Sequence, residues 1–188
     1  MLDQLVTLFW ERGFAHTSHD DMKTATGLSG SSLYNTFGDK HQIFDRVLER
    51  YHEMSAILVE PLIEGTGGLG DVLTWIDMLK TRVGSAKTPL GCLMIATMGA
   101  RVGQDPQVRH RTQQNVARVG AALVSALRRA ADRGELDRAA IRPRGAMLLA
   151  GYVGVLTASR GAPSPETALD MLDGLRDSVG EWMRYGKK

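Results

Sequence analysis

The sequence predicts an all-α fold with an N-terminal three-helix helix-turn-helix domain and a longer C-terminal helical domain. Three observations carry this. Apolar residues recur every three or four positions in each segment, and no segment sustains the alternation of a half-buried strand. The stretch Thr17 to Lys40 reads as two short helices joined by a tight turn and followed by the start of a third, a layout suited to lying on DNA. With 188 residues the chain can hold a sizeable core, and a small motif ahead of a long remainder suggests two helical domains, 1–51 and 52–188.

The first helix, about Leu2 to Arg12, places Leu2, Leu5, Val6 and Phe9 at helical spacing and stops at Gly13. Ser18 is an N-cap with Asp21 three residues on, so a helix runs from about His19 to Thr26 until Gly27 ends it. Ser29 caps the next helix, Gly30 to Phe37. Leu33 and Phe37 anchor that helix one turn apart and leave Ser31, Ser32, Tyr34, Asn35 and Thr36 for a partner. Asp39 opens a long helix with Ile43, Phe44, Val47, Leu48 and Tyr51 on one side. It is expected to run as a lever of about thirty ångströms to Pro61, since about twenty residues rise about 1.5 Å each.

Beyond the glycine-rich Gly65 to Gly70, Leu69 to Ser85 is helical, and Pro89 and Gly91 interrupt the chain before the apolar Cys92 to Arg101. Asp105 and Pro106 start a long helix with an apolar side and an arginine-rich side, the latter read as a solvated face. The helix opened by Pro143 is apolar almost all round in MLLAGYVGVLTAS, which predicts burial on both sides. Pro165 opens the last helix, whose stripe contains Leu169, Leu172, Leu175, Val179 and Trp182.

Composition is that of an ordinary soluble protein, 43% apolar and 23% charged. A single cysteine excludes an intrachain disulfide framework and suits a reducing cytoplasm. No basic leader precedes the first helix, and the longest uncharged apolar run, Met147 to Leu156, is about half a membrane span. The expectation is a cytoplasmic protein with no membrane partner. Up to Tyr51 five basic residues face seven acidic ones, so phosphate binding there depends on local cations and helix ends rather than on net charge.

No nucleophile, base and orienting partner assemble into a catalytic set, and neither a cofactor nor a metal is implied. His16 with His19 is the only close histidine pair, and solvated side chains explain it better than zinc. Cys92 has the apolar flank of a buried thiol. Without a strand ahead of it, GTGGLG is a loop rather than a phosphate cradle. Trp75, Met78, Met94, Met98, Met147 and Tyr152 are candidates to line a cavity, since methionine adapts to irregular apolar shapes and Trp or Tyr offers one hydrogen bond. A packed core is the plainer reading for any one of them.

The order of helix, GFAHTSHDDM, TATGLS, GSSLYNTFGDK and amphipathic helix resembles the DNA-binding end of the TetR family of transcriptional regulators, over about Leu5 to Tyr51. By that resemblance Thr17, Tyr34, Thr36 and Lys40 fall where family members touch phosphates, and Ser29, Ser31, Ser32 and Asn35 where they approach base edges. Ser18 completes the candidate DNA-binding set. Thr36, Lys23 and His41 depart from the residues common at their positions, so operator preference does not transfer. Members usually carry an N-terminal arm, whereas this sequence begins almost inside the first helix.

The resemblance further implies a second domain that holds a small-molecule effector, here expected to be apolar or amphipathic. It also implies a homodimer built from the last two long helices, with Gly151 and Gly154 admitting a close helix and Leu172, Leu175, Val179 and Trp182 facing it. The function implied is a ligand-responsive repressor on double-stranded operator DNA. The alternative is a helical small-molecule-binding or protein-interaction module with weak or no DNA binding.

Overall fold

The computed structural model describes residues 1–85, 91–162 and 164–186; Pro89 lies outside them. Every regular element among the described residues is helical. The chain forms two compact units. The first contains Met1–Ser55 and Cys92–Asn115, the second Ala56–Gly91 and Val116–Lys188. In place of one boundary after residue 51, the segment Cys92–Asn115 therefore folds with the N-terminal helices.

In the first unit α1 (Leu2–Arg12), α2 (His19–Thr26), α3 (Gly30–Phe37) and α4 (Lys40–Ser55) match the helices expected from capping and period. Leu5, Val6, Phe9, Met22, Leu33, Ile43, Phe44, Val47 and Leu48 form its core, each at most 1% exposed. The lever is shorter than expected. α4 ends at Ser55, a 3-10 turn covers Ala56–Val59, and α5 (Glu60–Glu64) carries Pro61 in its first turn. Proline has no amide to continue the helical bonding, so the break falls just ahead of it. α7 (Leu93–Met98) and the start of α8 (Pro106–Asp132) complete the unit, and Arg111 on α8 grips Asp45 of α4 with two guanidinium nitrogens.

In the second unit α6 (Leu69–Ser85) packs against α10 (Glu166–Tyr185), which also lies on α9 (Ile141–Gly161). Val72, Trp75, Ile76, Leu79, Leu148, Val155, Leu172 and Val179 are completely buried there. Lys80 with Asp173 and Arg176 with Asp77 tie α6 to α10 at the surface. The glycine-rich loop is closed by the chain's own carboxylates. Asp71 accepts from the Gly67 and Gly68 amides at 3.0 and 3.1 Å and from Arg129 at 3.1 Å, while Glu135 accepts from the Leu69 amide at 2.8 Å. A Cβ on Gly65 would lie 2.4 Å from the Asp71 carboxyl, so only glycine lets the loop close this tightly.

α9 is not buried on both sides as its composition suggested. Ala146, Met147, Ala150 and Thr157 remain exposed, and Met147 is 40% exposed. A helix with so little polar surface reads as buried all round, yet its partner helices within the chain cover only one face.

Candidate nucleic-acid interface

Local chemistry sets the two short helices. The Ser18 hydroxyl accepts from the Asp21 amide at 3.1 Å, and the Asp21 carboxylate accepts from the Ser18 amide at 2.8 Å, a reciprocal cap. These bonds, from the Ser18 amide and hydroxyl first and from Arg12 after them, hold the Asp21 carboxyl below its ordinary value of 3.8. Gly27 at φ 70° turns the chain between α2 and α3, a left-handed backbone that glycine adopts without a Cβ penalty. Ser29 caps α3 by accepting from the Ser32 amide at 3.2 Å. Leu33, fully buried, and Phe37 seat α3 against the unit, the Leu33 side chain alone contributing about 2 kcal/mol of burial.

That seating leaves one polar face outward. Ser31, Ser32, Tyr34, Asn35 and Thr36 are all exposed, Tyr34 by 43%. The Ser29 hydroxyl lies 3.0 Å from that of Ser31 and 2.9 Å from that of Ser32. Lys40 is half-buried with Nζ 4.4 Å over the Phe14 ring, which fixes where its charge stands, and burial pushes its pKa below the ordinary value. Phe14 rests on Phe9 and Phe44. Thr17 is different. It is 1% exposed and its hydroxyl donates to the Gly13 carbonyl at 2.8 Å, so its side chain holds the turn and has no free donor for a phosphate.

Three residues beside this face escaped the sequence reading. His19, exposed on α2, stands with its ring 5.2 Å from that of Tyr34. Arg46 donates to the Thr36 carbonyl at 3.1 Å and covers the end of α3. Phe14 carries Lys40. Their contacts join residues of different helices, and no sequence period announces them. A polar hollow of about 510 Å³ opens beside the end of α3, lined by Tyr34, Thr36, Asp39, Gln42 and Arg46 among others.

The pocket candidates do not converge. Trp75 and Tyr152 meet with ring centroids 5.7 Å apart, and Trp75 Nε1 is buried with no acceptor among the described residues. Met78 lines an open groove of about 450 Å³ with Leu58, Thr74, Asp77, Thr81 and Arg82. Met147 is exposed, whereas Met94 and Met98 belong to the first unit. Of the dimer candidates, Leu172 and Val179 are completely buried within the chain and are core residues rather than contact residues. Gly151 and Gly154 admit Leu175 and Met171 of the same chain, and Trp182 lies under the Arg144 guanidinium at 4.5 Å. Among the described residues no helix is long and apolar enough to cross a membrane, and no group of three or more His, Cys, Asp or Glu could hold a metal ion.

Two capped helices joined through a left-handed glycine, with a polar outer face on the second, define an all-helical helix-turn-helix protein. Residues 1–47 match the family described as bacterial regulatory proteins, tetR family. It is 36% identical to the HTH-type transcriptional repressor ComR of Escherichia coli (strain K12) over 101 residues, 50% of this chain and 46% of that protein. The chain thus spans about half the length of ComR. It is 25% identical over 140 residues to the uncharacterized HTH-type transcriptional regulator YezE of Bacillus subtilis (strain 168), covering 73% of this chain and 71% of that one. In fold it resembles the TetR family transcriptional regulator CifR, solved as a cysteine mutant with 26-bp double-strand operator DNA, at a TM-score of 0.81, 18% identity and 94% coverage of both chains. Both of these curated relatives are named as transcriptional regulators.

Proposed function

We propose that the protein is a ligand-responsive transcriptional repressor of the cytoplasm that binds an inverted-repeat operator as a homodimer. The observation that carries this is the outer face of α3, where hydroxyl and amide side chains stand clear of a helix pinned by Leu33 and Phe37. Two such helices related by a two-fold would enter successive major grooves about 34 Å apart. Tyr34, Thr36 and Lys40 set register on phosphates, and Ser31, Ser32 and Asn35 lie nearest the bases. With no Arg or Gln on α3, thymine methyl contacts and DNA shape carry much of the discrimination.

The open face of α9 with Met171 and Leu175 of α10 supplies the two-fold contact, in place of the buried Leu172 and Val179. The unpaired indole N–H of Trp75 supports an effector bearing a hydrogen-bond acceptor on an apolar body, bound in the second unit. Such a ligand releases DNA only by favouring one arrangement of the two DNA-binding units over the other.

The test is salt-dependent fluorescence anisotropy on the DNA upstream of the protein's own gene. Binding that survives competitor DNA is expected, and absence of binding by the folded protein sinks the reading. One observation favours the rival, a helical module without strong DNA binding: Arg12, Lys23 and Arg50 are engaged by Asp21, Asp20 and Asp3. Under that rival, binding would be weak and indifferent to sequence.

A further inference from the structure

All five histidines, His16, His19, His41, His52 and His110, fall in the first unit. With neutral imidazoles this unit carries eight lysines and arginines against nine aspartates and glutamates. Half of those cations are engaged by the chain's own carboxylates, Arg111 by Asp45 as well as the three just named. A surface that lies on a polyanion is thereby left short of charge, and imidazole is the side chain that gains one between pH 5 and 8.

His19 is placed to use that charge. It is exposed on α2 with its ring tilted 38° against Tyr34, the exposed aromatic of α3. The charged groups around it are Asp20, which pairs with Lys23 at 2.8 Å and also feels His19 electrostatically, and Asp21, which pairs with Arg12 at 2.7 Å; from α3 the Tyr34 ring lies beside it. His41 is placed badly by contrast. Its ring lies 4.7 Å from Phe14, which already carries Lys40, so a proton there sets two cations on one ring. His110 is bonded to Gln114, and His52 lines a hollow with Glu49, Glu53 and Arg111.

We propose that protonated His19, standing on Tyr34, is a further phosphate contact, so that operator binding takes up a proton from solvent. The inference rests on the DNA-binding reading above. An imidazolium N–H donates to a phosphate oxygen with full charge, the Tyr34 ring 5.2 Å away positions the imidazole, and a phosphate at that place favours the charged ring. Neutral imidazole offers one uncharged donor in its place.

The experiment is operator affinity at constant salt from about pH 8 to about pH 6, for the wild type, His19→Gln and His16→Gln, with melting curves confirming the fold of each. Wild-type binding should tighten about tenfold over that range, and at the lower pH His19→Gln should flatten the salt dependence by about one phosphate contact per subunit. His16→Gln should keep the wild-type profile. Selective binding with a flat wild-type profile overturns the proposal alone, as does a profile that His19→Gln preserves or His16→Gln abolishes. If no selective binding appears at either pH, the DNA-binding reading itself falls.

Discussion

The turn between α2 and α3 and the loop before α6 are both glycine-led and rich in polar groups, yet they are finished in opposite ways. In the loop, the Gly67, Gly68 and Leu69 amides and one nitrogen of the Arg129 guanidinium are taken up by two partly buried carboxylates of the chain. Around the turn, caps consume the helix-end amides, and the side chains of Ser31, Tyr34, Asn35 and Thr36 are left outside. Polar groups that the chain satisfies internally build scaffold; polar groups it positions and leaves exposed await a partner.

Breaking the closed cluster should show the largest effect. Asp71→Ala leaves two amides without their acceptor and takes from Arg129 its carboxylate partner, and should lower stability by about 3 kcal/mol in a urea titration. A loss under about 1 kcal/mol would mean the cluster is less desolvated than its burial suggests. The open surface should answer differently. Tyr34→Ala combined with Lys40→Ala should weaken operator binding about a hundredfold, with the urea midpoint nearly unchanged; unchanged affinity would remove both residues from the interface. Ser18→Ala should cost about 1 kcal/mol, the ordinary value of a helix cap, read in the same titration.

The smallest effect is on acidification. Because the Asp21 carboxyl is held below its ordinary value, the stability it adds is fully present above 3.8 and is lost as pH falls through the lower folded value. The α2 circular dichroism signal should therefore hold at neutral pH and fade only below about pH 4. Fading near pH 6 would assign the cap to a histidine instead.

The first four helices and their caps were legible because capping, helical period and glycine stops act within a few residues. The outer face of α3 followed from Leu33 and Phe37 alone. What could not be read depends on contacts between residues far apart in the chain. Nothing local distinguishes Leu172 and Val179, buried against neighbours in the same chain, from Leu175 on the same stripe. Thr17 likewise looks like a free hydroxyl until the Gly13 carbonyl is found beside it. Met94 and Met98 resembled the other pocket methionines, and only the folding of Cys92–Asn115 with the N-terminal helices separates them.

That folding has a practical meaning for anyone who wishes to recombine this protein. The polypeptide passes from one unit to the other near residues 55, 91 and 115, and the last passage lies inside the unbroken α8. A chimera spliced once after α4 would carry a recognition head stripped of α7 and of the arginine that grips Asp45. A faithful transplant must bring Cys92–Asn115 along, with its final splice matched to the helical register of the recipient.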